Sequence, residues 1–293
     1  MAASKKPSVL SFGEILWDVF PDGRRPGGAP LNVAFHLHRL GLKPLVISAV
    51  GRDPAGDDLL KAMKKSGLAI TGVARVEAPT GEVVVHLEKG GGVHYHIARP
   101  AAWEAIPLTD GLAQLVFEAR AFVYGSLAAD TPANQRVLDF VLSMSGALKV
   151  MDVNLRKGVT PKVVMEYASR ADVVKCNLEE LALLSGQALA PRAAAKAVGE
   201  AAHALAKKIQ VPRIVVTLGA RGALLWDNGA VTTAPAPKIT PVDPVGAGDA
   251  FTAALVQGLL EERPAKALLA AACARGAWVA SQAGAQPTGE PPA

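Results

Sequence analysis

The sequence is short of cysteine, of aromatic residues and of long apolar runs, and each shortage removes a class of protein. Only two cysteines, Cys176 and Cys273, occur in 293 residues. That is too few for a disulfide framework or a four-thiolate metal site, so a reducing, cytoplasmic setting is expected. Aromatic residues make up 5%, and the basic residues fall in short clusters at Lys5-Lys6, Arg24-Arg25, Lys64-Lys65 and Lys207-Lys208. A net charge of +5 scattered in this way suits an anionic small ligand. It does not suit a nucleic acid, which calls for a continuous basic face interleaved with aromatics. The most apolar stretch, Ala265 to Ala283, is interrupted by Lys266, Arg275 and Gln282, and so reads as a buried helix rather than a bilayer span. Met1 to Pro7 is polar, and the apolar stretch Ser8 to Phe12 that follows is too short for a signal segment. No membrane partner is expected.

Two catalytic strings are also missing. The pattern G-x-x-x-x-G-K-[ST] does not occur, which excludes a P-loop enzyme. The first predicted strand runs into Gly13-Glu14 instead of a G-x-G-x-x-G turn, which argues against a dinucleotide enzyme. His36 and His38 fall in a helical pattern, where positions i and i+2 diverge, so they do not form a metal pair. His94 and His96 alternate along a strand and share one face, as lid surface or as a substrate contact.

What is present is a globular composition: 50% apolar residues, 19% charged and a mean hydropathy of +0.25. Short β-branched runs at Leu45–Val50, Ala121–Tyr124, Leu148–Val153, Asp172–Cys176 and Arg213–Thr217 read as strands. Amphipathic stretches at Asp57–Lys65, Gln135–Met144, Pro191–Lys208 and Asp249–Leu260 lie between or after them. That alternation predicts an α/β fold, a doubly wound and mostly parallel sheet flanked by helices. Glu14–Phe20 ends in the turn signal Pro21-Asp22-Gly23, and Gly81–Leu87 and Val93–Ile97 flank Lys89-Gly90-Gly91-Gly92 as a hairpin does. The expectation is a single domain over residues 1–293 with a small β-sheet lid formed by insertions at approximately 14–27 and 72–99. A half-apolar sheet left uncovered tends to be buried by a partner, so a homodimer through the lid is expected.

The segment richest in chemistry is Asp243-Pro244-Val245-Gly246-Ala247-Gly248-Asp249-Ala250-Phe251, which opens an apolar helical pattern. Gly246 and Gly248 let backbone N–H groups turn toward one point, and the helix adds the positive end of its dipole, so a transferring phosphoryl group would be stabilised there. Asp249 at the same helix start should stay ionised and is the candidate general base for a substrate hydroxyl. An ordinary N-terminal aspartate after a glycine turn has the same local sequence.

Taken with its surroundings, this segment resembles the second signature of the PfkB (ribokinase-like) family of carbohydrate kinases, with Pro244 where threonine is usual. Gly27-Gly28-Ala29-Pro30-Leu31-Asn32 resembles the first signature. Gly13-Glu14-x-x-x-Asp18, Pro79-Thr80-Gly81, Asp152-x-Asn154-x-Arg156, Asn177-x-x-Glu180 and Thr217-Leu218-Gly219-Ala220-Arg221-Gly222 resemble further family elements, and the likeness is greatest to fructokinases. The resemblance implies that Asp18, Gly28, Asn32, Arg99 and Arg156 bind the sugar, with the glycine pair a lid hinge. It implies that Asn177, Thr217, Gly219 and Gly222 bind ATP and that Ala270 to Ala283 walls the adenine. Glu180 would organise water around Mg²⁺, and Asp243 with the carbonyl of Val245 would supply a K⁺ site. The amides of Gly246, Ala247 and Gly248 would hold the γ-phosphoryl group. The expected activity is ATP-dependent phosphorylation of a primary hydroxyl of a small sugar, fructose first, with 2-keto-3-deoxygluconate or ribose as alternatives. A non-catalytic sugar- or nucleotide-binding regulator on the same scaffold is the reading from another class.

Overall fold

The computed structural model describes residues 8–87 and 93–289. In chain order its strands are β1 (Val9–Phe12), β2 (Leu16–Phe20), β3 (Gly23–Gly27), β4 (Pro44–Gly51), β5 (Val73–Val76), β6 (Gly81–Leu87), β7 (Val93–Ile97), β8 (Ala121–Gly125), β9 (Leu148–Asp152), β10 (Val173–Asn177), β11 (Arg213–Thr217), β12 (Ala223–Asp227) and β13 (Ala230–Ala234). The helices are α1 (Ala29–Arg39), α2 (Pro54–Lys65), α3 (Leu112–Glu118), α4 (Ser126–Ala129), α5 (Pro132–Met144), α6 (Pro161–Ala168), α7 (Leu178–Ser185), α8 (Ala195–Ile209), α9 (Ala247–Leu260) and α10 (Ala265–Ala280).

Nine strands form one sheet in the order β13-β12-β11-β10-β9-β8-β1-β4-β5, with every pairing parallel except the antiparallel ones of β12 with β11 and with β13. All eight residues of β4 are buried, and β10 and β11 each carry a pair of valines, as expected of parallel strands covered on both faces. One face carries a core that includes Tyr124, Leu138, Tyr167 and Leu205. The other packs Val33 and Leu37 of α1 against Phe251 and Leu255 of α9 and Leu269 of α10. The strand β1 pairs in parallel with β4 on one side and β8 on the other. The chain therefore reverses its winding direction at β1, and the crevice beyond the carboxyl ends of these strands is where an α/β sheet of this kind takes its ligand.

The helix starts differ in how their first amides are satisfied. Asp53 caps α2, accepting from Gly56 N at 2.7 Å with Pro54 behind it. Asn177 and Glu180 close α7 with a reciprocal capping box. By contrast α9 has no side-chain cap: it begins after Gly246, whose φ of 78° is left-handed.

A second sheet, β3-β2-β6-β7, stands apart from the first. β2 and β3 form the expected hairpin, and β6 pairs with β7 from Val83↔Ile97 to Leu87↔Val93. The turn expected at Lys89 to Gly92 lies outside the described residues. The expected lid boundary near residue 72 moves to Gly81, because Val73–Val76 pairs with Ser48–Gly51 at the edge of the large sheet. The stretch 191–194, expected within a helix, precedes α8.

Candidate active site

The open start of α9 is the natural place to begin. The amide of Ala247, expected among the anion donors, closes a turn onto the Pro244 carbonyl at 3.2 Å, and Ala250 N bonds to the Gly246 carbonyl at 2.9 Å. Among the described residues the amides of Gly246, Gly248 and Asp249 have no partner, and together they make a cradle at the positive end of the helix dipole. Gly246 is obligatory here, since a Cβ would also come within 2.5 Å of Ala285.

Asp249, in the first turn of α9, is buried, and its Oδ2 accepts from Asn32 Nδ2 at 2.8 Å. Burial pushes its carboxyl up to about 6; the Asn32 hydrogen bond and the charges of Lys175 and Arg156 oppose that rise, while Asp152 adds to it. A carboxylate that titrates just below neutrality is suited to accept a proton and release it. Next to it lies a buried ion pair that sequence patterns did not reveal: Lys175 Nζ to Asp152 Oδ2 at 2.6 Å. Burial works against the Lys175 ammonium, but Asp152, with Asp249 and Glu180 adding to it, holds the group above the ordinary lysine range. The Thr252 hydroxyl lies 2.9 Å from both Asp152 Oδ2 and the Gly248 carbonyl. The available signal was a lysine inside the otherwise apolar run Val173–Cys176.

Beside the cradle, Glu180 accepts from Asn177 N at 2.8 Å and from Leu155 N at 2.7 Å, and Asn177 Oδ1 accepts from Glu180 N at 2.8 Å. Burial raises the Glu180 carboxyl above its usual range. The capping box leaves the expected metal-organising role open to Glu180, because each carboxylate oxygen keeps a second lone pair. Among the described residues no group of three or more His, Cys, Asp or Glu is disposed to hold a metal by itself. A metal here would be held chiefly by nucleotide phosphates and water, with Glu180 and Asp152 as the nearby carboxylates. Asp243 spends its side chain on the backbone, accepting from Val245 N and Gly284 N, both at 3.0 Å.

On one side, a cavity of about 630 Å³ opens against the cradle. Thr217, Gly219 and Gly222, three of the residues expected at ATP, line it, whereas Asn177 acts as the α7 cap on the neighbouring strand end. Its far wall is one face of α10, formed by Cys273, Gly276, Ala277 and Ala280, at helical spacing and without charge.

On the other side, Asp18 of β2 faces the same region. Burial pushes its carboxyl up to about 6, with Arg156 and Arg25 opposing. Glu14, between β1 and β2, is pushed up to about 7 by burial, against hydrogen bonds from its own amide and that of Ala29 and the charge of Arg156. The glycine pair has a steric basis: a Cβ on Gly27 would overlap Asp18 Oδ2, and one on Gly28, at φ 99°, would overlap the Glu14 carbonyl. Arg156 is exposed, and its charge reaches Glu14, Asp18 and Asp249. Arg99 is engaged elsewhere, pairing with Glu104 at 3.1 Å and lying over Trp103. The structure therefore gathers Asp18, Gly28, Asn32, Arg156 and Asp249 but gives Arg99 no contact with them.

His36 is buried in α1, its Nε2 2.9 Å from the Ala285 carbonyl. Burial pushes its imidazole down to about 4, so it is neutral and structural. Among the described residues no helix is long and apolar enough to cross a membrane.

Residues 7–291 match the family described as pfkB family carbohydrate kinase. A sugar kinase of Pyrococcus horikoshii is 31% identical over 274 residues, 86% of this chain and 83% of its own. Its crystal structure in complex with ATP superimposes with a TM-score of 0.80, covering 95% of this chain and 94% of that one. Fructokinase-1 of Zea mays is 28% identical over 289 residues, 89% of this chain and 85% of its own. Fructokinase from Vibrio cholerae, solved with fructose, ADP and calcium, is 25% identical with a TM-score of 0.79, covering 97% and 96% of the two chains.

Proposed function

The chain belongs to the pfkB family of carbohydrate kinases, and from that premise we propose that it moves the γ-phosphoryl group of ATP to a primary hydroxyl of a neutral sugar, fructose first. The observation that carries the reading is the position of Asp249. Its buried carboxylate stands at the head of the unpartnered amides of α9, with the nucleotide cavity on one side and Asp18 with Asn32 on the other. Asp18 and Asn32 orient the sugar through its hydroxyls, a task suited to a carboxylate that accepts two hydrogen bonds. Asp249 takes the proton from the attacking hydroxyl, and the amides of Gly246 and Gly248 stabilise charge on the transferring group. Glu180 would hold water around a magnesium ion bound with the nucleotide, whose charge would neutralise the phosphates, and Asp243 with the Val245 carbonyl would hold potassium.

The preference for a neutral sugar rests on charge. Glu14, Asp18 and Asp249 line the region, and Arg156 is the cation they share. A sugar acid such as 2-keto-3-deoxygluconate would have to compete with these carboxylates for that one guanidinium. A second copy covering the small sheet belongs to the same reading, and sedimentation at micromolar concentration tests it.

The central test is ADP release with Mg-ATP against fructose, 2-keto-3-deoxygluconate, ribose, glucose and adenosine, with and without potassium. Turnover on fructose that collapses in Asp249→Asn is the expected result. Preference for the sugar acid would reassign the substrate to Arg156. Binding of ATP and sugar without turnover would make the protein a binding regulator.

A further inference from the structure

The C-terminal segment 281–289 threads between the glycine turn before α9 and the start of α1. Gly284 N donates to Asp243 Oδ2 at 3.0 Å, and the Ala285 carbonyl receives His36. The next residue, Gln286, points its side chain at the site. Its Nε2 donates to Asn32 Oδ1 at 2.9 Å and lies 3.4 Å from the Pro26 carbonyl at the end of β3. Asn32 in turn donates from Nδ2 to Asp249 at 2.8 Å.

The chemistry of an amide makes this chain directional. One end of the Asn32 side chain accepts and the other donates. If the group turned over, its oxygen would face the Asp249 carboxylate and its NH₂ would face the NH₂ of Gln286, so two attractive contacts would become two repulsive ones. We infer that Gln286 is a positioning residue: by donating to Asn32 Oδ1 it fixes the Asn32 amide in the one orientation that donates to Asp249, and so couples the C-terminal segment to the reacting carboxylate. The inference rests on Asp249 being the base. Gln286 is separated from Asn32 by 254 positions, so no local pattern signals it.

Asp249 also faces Asp152 of β9, Lys175 of β10, Arg156 and Glu14, so the test must isolate the Asn32 route. The measurement is carboxyl ¹³C NMR titration of aspartate-labelled protein, with the Asp249 signal identified by its loss in Asp249→Asn. The variants are Gln286→Met, Asn32→Ala and their combination, with thermal melts on the same samples. Gln286→Met is expected to raise the Asp249 midpoint by about one pH unit, the size of a lost hydrogen bond to a charged group, and to raise it no further in Asn32→Ala. Should Gln286→Met fail to fold, Gln286→Glu keeps the shape but accepts instead of donating. Its upward shift must then exceed the shift it produces in Asn32→Ala. An unchanged midpoint, an equal shift in both backgrounds, or a lower melting temperature without any shift overturns the inference. ADP release separates this from the underlying reading: turnover retained in Asp249→Asn removes the base assignment, while the titration still decides what Gln286 does.

Discussion

Asp249 is held buried and charged at once, and the two demands oppose each other. Its folded carboxyl sits near 6 against an ordinary 3.8, so the protonated form is the one the fold favours. The corresponding stability is present below about pH 4 and is lost as pH rises through about 6. Asp249→Asn should therefore melt higher than the wild type at pH 8, by at most about 3 kcal/mol, with the gap closing toward pH 5. The same substitution should lower kcat by about 10²- to 10⁴-fold. In the wild type, kcat/KM should fall on the acid side with a midpoint near 6, where the base takes up its proton. A variant that loses activity and melts lower at pH 8 would contradict this account. Lys175 makes the opposite kind of prediction. Lys175→Met leaves Asp152 buried without its cation, which should cost about 3–5 kcal/mol in urea unfolding. Adding Asp152→Leu should recover much of that loss, because the unpaired charge is then gone.

At the level of elements, the start of α9 shows how an absent contact becomes a site. Helices α2 and α7 close their first turns with Asp53 and Asn177, whereas α9 leaves its amides for a ligand. Gly246→Ala would force a β-carbon into the left-handed turn and against Ala285, so kcat and thermal stability should fall together. Gly27→Ala displaces only the Asp18 carboxylate, and steady-state kinetics should show KM for the sugar rising with KM for ATP unchanged. The strands were legible because β-branched runs such as Val173–Cys176 are bounded by turn residues, and α9 because a glycine turn precedes an apolar helix. The two glycine signatures have a steric basis at Gly27, Gly28 and Gly246, where a side chain would collide. Lys175, Thr252 and Gln286 were not legible, since each gains its role from a residue on a distant element. Arg99 shows the converse: a single arginine carries no sign of the Glu104 it pairs with five residues on.

Across the whole molecule, the proposed function divides the site into a nucleotide region and a sugar region, with Asp249 hydrogen-bonded to Asn32 on the sugar side. The cavity proposed for the nucleotide is built from the β11–β12 turn, the cradle and α10, while the proposed sugar side draws on β2 of the small sheet and on α1. This division predicts separable stabilisation, because each ligand that binds only the folded chain raises its stability by mass action. Mg-ATP at about 100 times its Kd should add about 2.7 kcal/mol, seen as a melting temperature a few degrees higher. Fructose should then add its own increment. Asp18→Ala removes a hydroxyl-binding carboxylate without touching the nucleotide cavity, so calorimetry should show the sugar increment lost and the nucleotide increment kept. If Asp18→Ala removed both increments, the two regions would be one cooperative unit. If it removed neither, the sugar would be held elsewhere and the role of the small sheet would have to be reassigned.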